Sequence, residues 1–173
     1  MSPDPDRQRE RAILAATADL IVEHGWENLA MRAVADRAGV SLSTIYDRWP
    51  TKTDLAIAAV RWATRGQSWT LDSIQTLLAE RANLMLCLLS IQRSQPERRP
   101  EIREHFSQAL LEPLRSAAID TSQGQLDDDT AAMIALLGPA YLFVRNIVIE
   151  RPVTAEELQT LSELMARLAQ SFE

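Results

Sequence analysis

The sequence predicts an all-α protein, and three observations carry that prediction. Glycine is scarce, with five in 173 residues. No stretch alternates β-branched and polar residues as a half-buried strand would. Apolar side chains instead recur at intervals of three and four along nearly the whole chain, the period of helices with one buried face. Within that class the expected architecture is an N-terminal three-helix head carrying a helix-turn-helix, followed by a C-terminal body of antiparallel helices. The boundary is placed at residue 52, giving 7–52 and 53–173.

The elements follow in order. "RQRERAILAATADLIVEHG" sets Ile13, Ala16, Thr17, Leu20, Ile21 and His24 on one stripe, and Gly25 stops it. "LAMRAVADRAG" is a short second helix, with Met31, Val34, Ala35 and Ala38 inward and Gly39 as its end. Ala30 stands at its cap position and offers no side-chain acceptor. Ser41 caps a third helix expected to reach Trp49, because the residue before Pro50 is steered from helical angles. Thr51 and Asp54 have the spacing of a capping box and start the fourth. Longer helices follow. "TLDSIQTLLAERANLMLCLLSIQRS" is one, and "EIREHFSQALLEPLRSAAID" is read as another. "LDDDTAAMIALLGPAYLFVRNIVIER" carries a kink at Gly138-Pro139, and "TAEELQTLSELMARLAQSF" closes the chain.

Charge is divided unevenly. Nine of eighteen basic and nine of twenty-four acidic residues lie in 1–66, so the net charge of −6 belongs to the rest. A neutral head on an acidic body fits a protein whose head alone meets a polyanion. No apolar run approaches the roughly 18–20 residues of a membrane span. The N-terminus lacks the apolar core of a signal peptide. The one cysteine, Cys87, sits in an apolar helix and fits a buried thiol in a reducing compartment. These readings place the protein in the cytoplasm, with no membrane partner.

Ala30 to Trp49 is two short helices around a glycine turn, the helix-turn-helix signature. Ile45 and Trp49 face the head's core, which at about 100° per residue turns Ser43 and Asp47 outward, flanked by Thr44, Tyr46 and Arg48. Such short polar groups suit base edges in a major groove. Asp47 has two readings, a partner for a cytosine amino group or for Arg48 or Arg11. Pro50-Thr51-Lys52 opens a helix beside the chain's only lysine, a combination that favours a phosphate. Arg32 is a second phosphate candidate, and Arg7, Arg9 and Arg11 are placed for backbone or minor-groove contact. The candidate DNA-binding set is therefore Arg32, Ser41, Ser43, Thr44, Tyr46, Asp47, Arg48, Thr51 and Lys52. His24 and His105 are read as structural or surface residues.

"GVSLSTIYDRWPTKTDL" resembles the signature of TetR-type transcriptional regulators, and the resemblance covers Ala12 to about Leu55. "LLGPAYLFVRN" followed by "RPVT" is similar to the dimerising helices of one branch of that family. The resemblance implies a repressor of palindromic operators, released when a small hydrophobic or amphipathic molecule enters the body. It implies base or backbone contact at Thr44 and Tyr46 and phosphate contact at Lys52. A body cavity is expected from it as well, with Trp62, Trp69, Met85, Leu88, Phe106 and Tyr141 as candidate lining. Leu158, Leu161, Met165, Leu168 and Phe172 form a narrow seam at 3,4,3,4 spacing, and Met133, Leu137, Tyr141, Val144 and Val148 a similar stripe. Both are read as faces of a homodimer. No cofactor or metal is expected, and no nucleophile–base pairing or phosphate loop supports an enzyme. A protein-binding helical adaptor is the remaining rival.

Overall fold

The computed structural model describes residues 4–66 and 69–171, and these form helices, turns and connecting loops without a strand. The helices are α1 (Pro5–His24), α2 (Met31–Ala38), α3 (Leu42–Tyr46), α4 (Lys52–Ala63), α5 (Leu71–Ser94), α6 (Arg99–Phe106), α7 (Glu112–Thr121), α8 (Asp128–Phe143) and α9 (Ala155–Gln170). A 3₁₀ turn, Pro96–Arg98, leads into α6, and π-helical turns occupy Ser107–Leu111 and Val144–Val148. By packing, the chain forms two units. The first runs to Arg65 and regains the chain over Ala82–Ile102; the second comprises Gly66–Arg81 and the chain from Arg103 onward. The chain passes between them inside α5 at Arg81, whose φ of −135° and ψ of 30° interrupt the helix.

In the first unit, Asp4 caps α1 by accepting from the Asp6 amide, and Pro5 occupies a position where its missing N–H is harmless. Ile13, Ala16, Thr17, Leu20 and Ile21 are buried as the period requires, whereas His24 is exposed. The stripe ends one turn early because Gly25, at φ 77°, already turns the chain. The buried Thr17 hydroxyl donates to the Ile13 carbonyl at 2.7 Å, so its burial leaves no orphan polar group. Val34, Ile45, Leu55, Val60, Leu84, Leu88, Ile91 and Ile102 complete this core. Each such side chain contributes about 1.5–3 kcal/mol by leaving water.

The second unit has two apolar clusters. Ile74, Leu78, Leu142, Val153 and Leu158 form one, with Trp69 and Leu161 against it. Ala118, Leu126, Ala131, Ile134 and Ala169 form the other, with Met165 and Leu168 against it. Gln75 and Asn146 exchange amide contacts, the shorter at 2.8 Å. Asp127 caps α8 through the Thr130 amide, and Thr154 with Glu157 makes a full capping box on α9.

Three expectations change. The stretch read as one helix from Glu101 to Asp120 is broken by a π turn just before Pro113, which has no N–H for a regular ladder. Beyond Pro139 the eighth helix likewise loosens into a π turn and stops before Glu150, at φ 54°. The α9 seam packs largely on its own chain: Leu158 is buried, and Leu161, Met165 and Leu168 are half-buried against the clusters. Phe172 lies outside the described residues. The α8 stripe does the opposite, with Met133 68% and Val148 67% exposed. Leu71–Ser94 and Asp128–Val148 are long and apolar enough to cross a membrane by length and composition, though neither has an unbroken apolar run. In α5 the apolar residues Ile74, Leu78, Leu84, Leu88 and Ile91 are core, the ordinary reason for such a helix.

Candidate nucleic-acid interface

The interface is built on a helix too short to stand alone. Regular α3 geometry spans five residues rather than continuing to Trp49, though the Trp49 amide still reaches the Ile45 carbonyl at 2.9 Å. Isolated helices of this length are unstable in water, so tertiary contact must hold it. Ile45 supplies that contact and is fully buried. Its burial turns Ser43, Tyr46, Asp47 and Arg48 to solvent, with Thr44 half-buried and Tyr46 45% exposed. At the start of α3, Ser41 accepts from the Thr44 amide at 3.2 Å. Its hydroxyl also lies 2.8 Å from that of Ser43 and 2.7 Å from that of Thr44. Three hydroxyls therefore share one local network with Ser41 at its centre, and those of Ser43 and Thr44 keep capacity for a further partner.

Of the three cations in the candidate set, Arg48 and Lys52 have intramolecular partners. Arg48 lies 3.0 Å from the Glu10 carboxylate and 4.0 Å from that of Asp6, both on α1. Asp47 forms no ion pair with Arg48 or Arg11 among the described residues. Lys52 donates to the Glu27 carbonyl at 3.0 Å and sits 4.5 Å from the centre of the Trp26 ring. Two of its three ammonium hydrogens remain for other acceptors. Arg32 is exposed and forms no ion pair among the described residues. Arg37 is clamped by Glu23 at 2.7 and 2.8 Å. That bond holds the Glu23 carboxyl below its ordinary range and raises the guanidinium further. Arg7 and Arg9 pair with Asp4 and Asp6 within the first turns of α1.

The start of α4 is also more occupied than its sequence suggests. Asp54 accepts from the Thr51 amide at 3.1 Å and the Thr51 hydroxyl at 2.6 Å, and its own amide donates back to that hydroxyl. Arg98 pairs with the other oxygen of Asp54. Burial pushes the Asp54 carboxyl up, but the bonds from Thr51 and Arg98 outweigh it and hold the group below its usual range. An acceptor arriving here finds the amides of Lys52 and Thr53 rather than that of Thr51. Gln95 fixes Thr53 through a 2.9 Å bond, and Arg98 continues to Glu101, which Arg61 also reaches, both at 3.3 Å. α4 is thus tied to the end of α5 and the start of α6.

The residues expected to line one ligand cavity are divided between the two units. Trp62, Met85 and Leu88 belong to the first unit, and Trp69, Phe106 and Tyr141 to the second. Leu88 is buried core, and the Tyr141 hydroxyl accepts from Arg145 at 2.7 Å on the surface. The second unit instead holds a cavity of about 200 Å³ among α7, α8 and α9. Leu71, Leu114, Ala118, Ile134, Ala135, Met165 and Ala169 contribute to its wall, mostly small or aliphatic. A larger concavity, about 380 Å³, lies in the first unit. Sequence reading passed over Glu10, Trp26, Glu27 and Arg98. Each acts on a residue 25 to 44 positions away, and no local pattern marks such a pair.

Residues 13–59 match the family described as bacterial regulatory proteins, tetR family. An uncharacterised HTH-type transcriptional regulator of Mycobacterium tuberculosis is 28% identical over 179 residues, covering 92% of this chain and 86% of the relative. The HTH-type transcriptional repressor KstR of Rhodococcus jostii is 30% identical over 138 residues, 74% of this chain and 60% of its own. Among solved structures, a TetR transcriptional regulator from Rhodococcus sp. RHA1 superposes with a TM-score of 0.58 at 20% identity, over 96% of this chain and 97% of the other. A Mesorhizobium loti protein assigned to the same class gives 0.65 at 16% identity, over 98% of both chains. At those identities the likeness is one of fold.

Proposed function

The chain belongs to the TetR family of bacterial transcriptional regulators and is not an enzyme; from that premise we propose that it is a homodimeric, cytoplasmic repressor, released from a palindromic operator by a small molecule. The observation that supports this best is the α3 edge. Ser43, Tyr46, Asp47 and Arg48 stand outward over a fully buried Ile45, beside the opening turn of α4. In this reading Ser43, Thr44 and Tyr46 meet base edges or backbone, with Ser41 exchanging its cap for a phosphate. Arg32, Arg48, Thr51 and Lys52 hold phosphates and fix register. Asp47 selects against phosphate and for a cytosine amino group.

The exposed α8 stripe from Met133 to Val148 supports pairing with a second copy. Two heads then read successive major grooves about 34–36 Å apart. A hydrophobic effector enters the cavity among α7, α8 and α9, whose aliphatic wall suits it. α5 and α6 carry its effect to α4 through Gln95, Arg98 and Glu101. A coupling of about 1–3 kcal/mol would weaken operator binding roughly 5- to 150-fold.

The test is a gel shift with DNA from upstream of the protein's own coding region. Wild type shifts it with a steep salt dependence, as counterion release demands. Tyr46→Ala combined with Lys52→Ala abolishes the shift while the circular dichroism spectrum is unchanged. Undiminished binding by the folded double variant would remove α3 from the contact face. Salt-insensitive binding would favour the protein adaptor.

A further inference from the structure

The first unit contains a concavity that the operator reading does not use. It lies between the turn after α1, at Trp26 and Glu27, and the last three turns of α5, and measures about 380 Å³. That volume is within the range of small-molecule sites. Apart from Tyr46, the exposed large apolar side chains described in this unit are Leu86 and Leu89, and both stand in its wall. Leu86, Leu89 and Arg93 follow at intervals of three and four, so they share one face of α5. From Leu86 to Arg93 that face runs about 10 Å at 1.5 Å per residue. It is apolar at one end and cationic at the other. Arg93 is exposed and forms no ion pair among the described residues.

We propose that this concavity is a ligand site for a small amphipathic carboxylate, with its apolar body along Leu86, Leu89 and Trp26 and its head on the Arg93 guanidinium. Charge supports the sign. Glu27 is the one carboxylate in the wall, and its Oε1 already accepts from Ser90 at 3.2 Å. Against it stand Arg93 in the wall and, 4.5 Å from the centre of the Trp26 ring, the Lys52 ammonium. An occupant would press on Trp26 and Glu27, the same two residues that hold Lys52. Occupancy is therefore linked to the side chain proposed to hold a phosphate. Ligand binding itself does not depend on the operator reading; only this last link does.

The test uses octanoate on the full chain, with octanol and octylammonium as controls of equal chain length. Octanoate should bind by calorimetry, octanol more weakly, and octylammonium least. Octanoate should also change tryptophan emission, and the change should vanish in Trp26→Phe, which leaves the other three tryptophans in place. Arg93→Ala, with an unchanged melting curve, should weaken octanoate by about tenfold, as loss of a charge-assisted contact does. Octanoate that binds Arg93→Ala equally well, or an octylammonium affinity exceeding that of octanoate, would overturn the site. A further series at saturating octanoate compares DNA affinity in wild type and Lys52→Ala. If octanoate binds by these criteria but the wild-type shift is unaltered, the link to Lys52 fails and the site stands.

Discussion

Replacing Ile45 by alanine tests whether one buried side chain holds the reading helix. Ile45 is fully excluded from water, and α3 spans only five residues. Truncation removes three carbons, about 2.4 kcal/mol at 0.8 kcal/mol per buried carbon. The cavity left behind raises the expected cost to about 3–4 kcal/mol, within the range seen for such truncations. For a chain of this size that lowers the melting midpoint by roughly 6–16 °C. Ile45→Val, which removes one carbon, should cost about 0.5–1.5 kcal/mol. Asp47→Ala, exposed and two residues further on, should stay within about 0.5 kcal/mol of wild type. Thermal and urea denaturation followed by circular dichroism give the three values. A DNA gel shift well below the midpoint should rank Ile45→Ala weakest of the two Ile45 variants, since the helix is then poorly held. An Ile45→Ala midpoint equal to that of wild type would refute this account of how α3 is positioned. So would equal costs for Val and Ala, because lost volume would then not be the cause.

Other outcomes follow from particular contacts. Glu10→Gln removes the partner 3.0 Å from Arg48. It should tighten DNA binding a few-fold, the worth of an exposed pair at about 0.2–1 kcal/mol, and steepen the salt dependence, both read from shifts across a salt series. Met133→Asp with Val148→Asp places charges on two side chains that are 68% and 67% exposed. Light scattering should find half the wild-type mass at nearly unchanged monomer stability; an unaltered dimer would move the interface elsewhere. Burial, helped by Glu27, pushes the Cys87 thiol up to about 12. A disulfide reagent at neutral pH should therefore react only as the chain unfolds, and rapid labelling of the native protein would contradict that burial. Asp54 and Glu157 hold their protons less tightly folded than unfolded. The unfolded chain thus takes up more protons in acid. Their stabilisation is complete above the ordinary carboxylate pKa of about 4 and is lost as the pH falls through the depressed values. Urea midpoints should drop as the pH falls below about 4, and less so in Asp54→Asn.

How much of this was legible in the sequence depended on the range of the interaction. The capping boxes at Thr51 and Thr154 lie within four residues, and the first of them was readable from spacing alone. So was the inward turn of Ile45, because one face of a short helix has a single choice. The split between the α8 and α9 stripes was not readable. Both have the same apolar period, and only the chain's own packing decides that Leu158 is core while Met133 is left outside. The fate of Lys52 was hidden for a similar reason. Nothing near it in sequence announces Trp26 and the Glu27 carbonyl, which a turn 25 residues earlier brings to it. The π turns at Ser107 and Val144 escaped because they keep the helical period nearly intact while shifting its register.

Gly138 sits in α8 with its open side against Leu71, and a β-carbon there would stand 2.5 Å from a Leu71 methyl. Leu71 is in turn part of the wall of the second unit's cavity. A single added methyl at 138 would therefore swing a leucine rather than fill a hole, and the void would change shape from a position that never borders it. The occupant of this one helical position would then act as a remote dial for which molecules fit, working through Leu71 with no wall residue replaced.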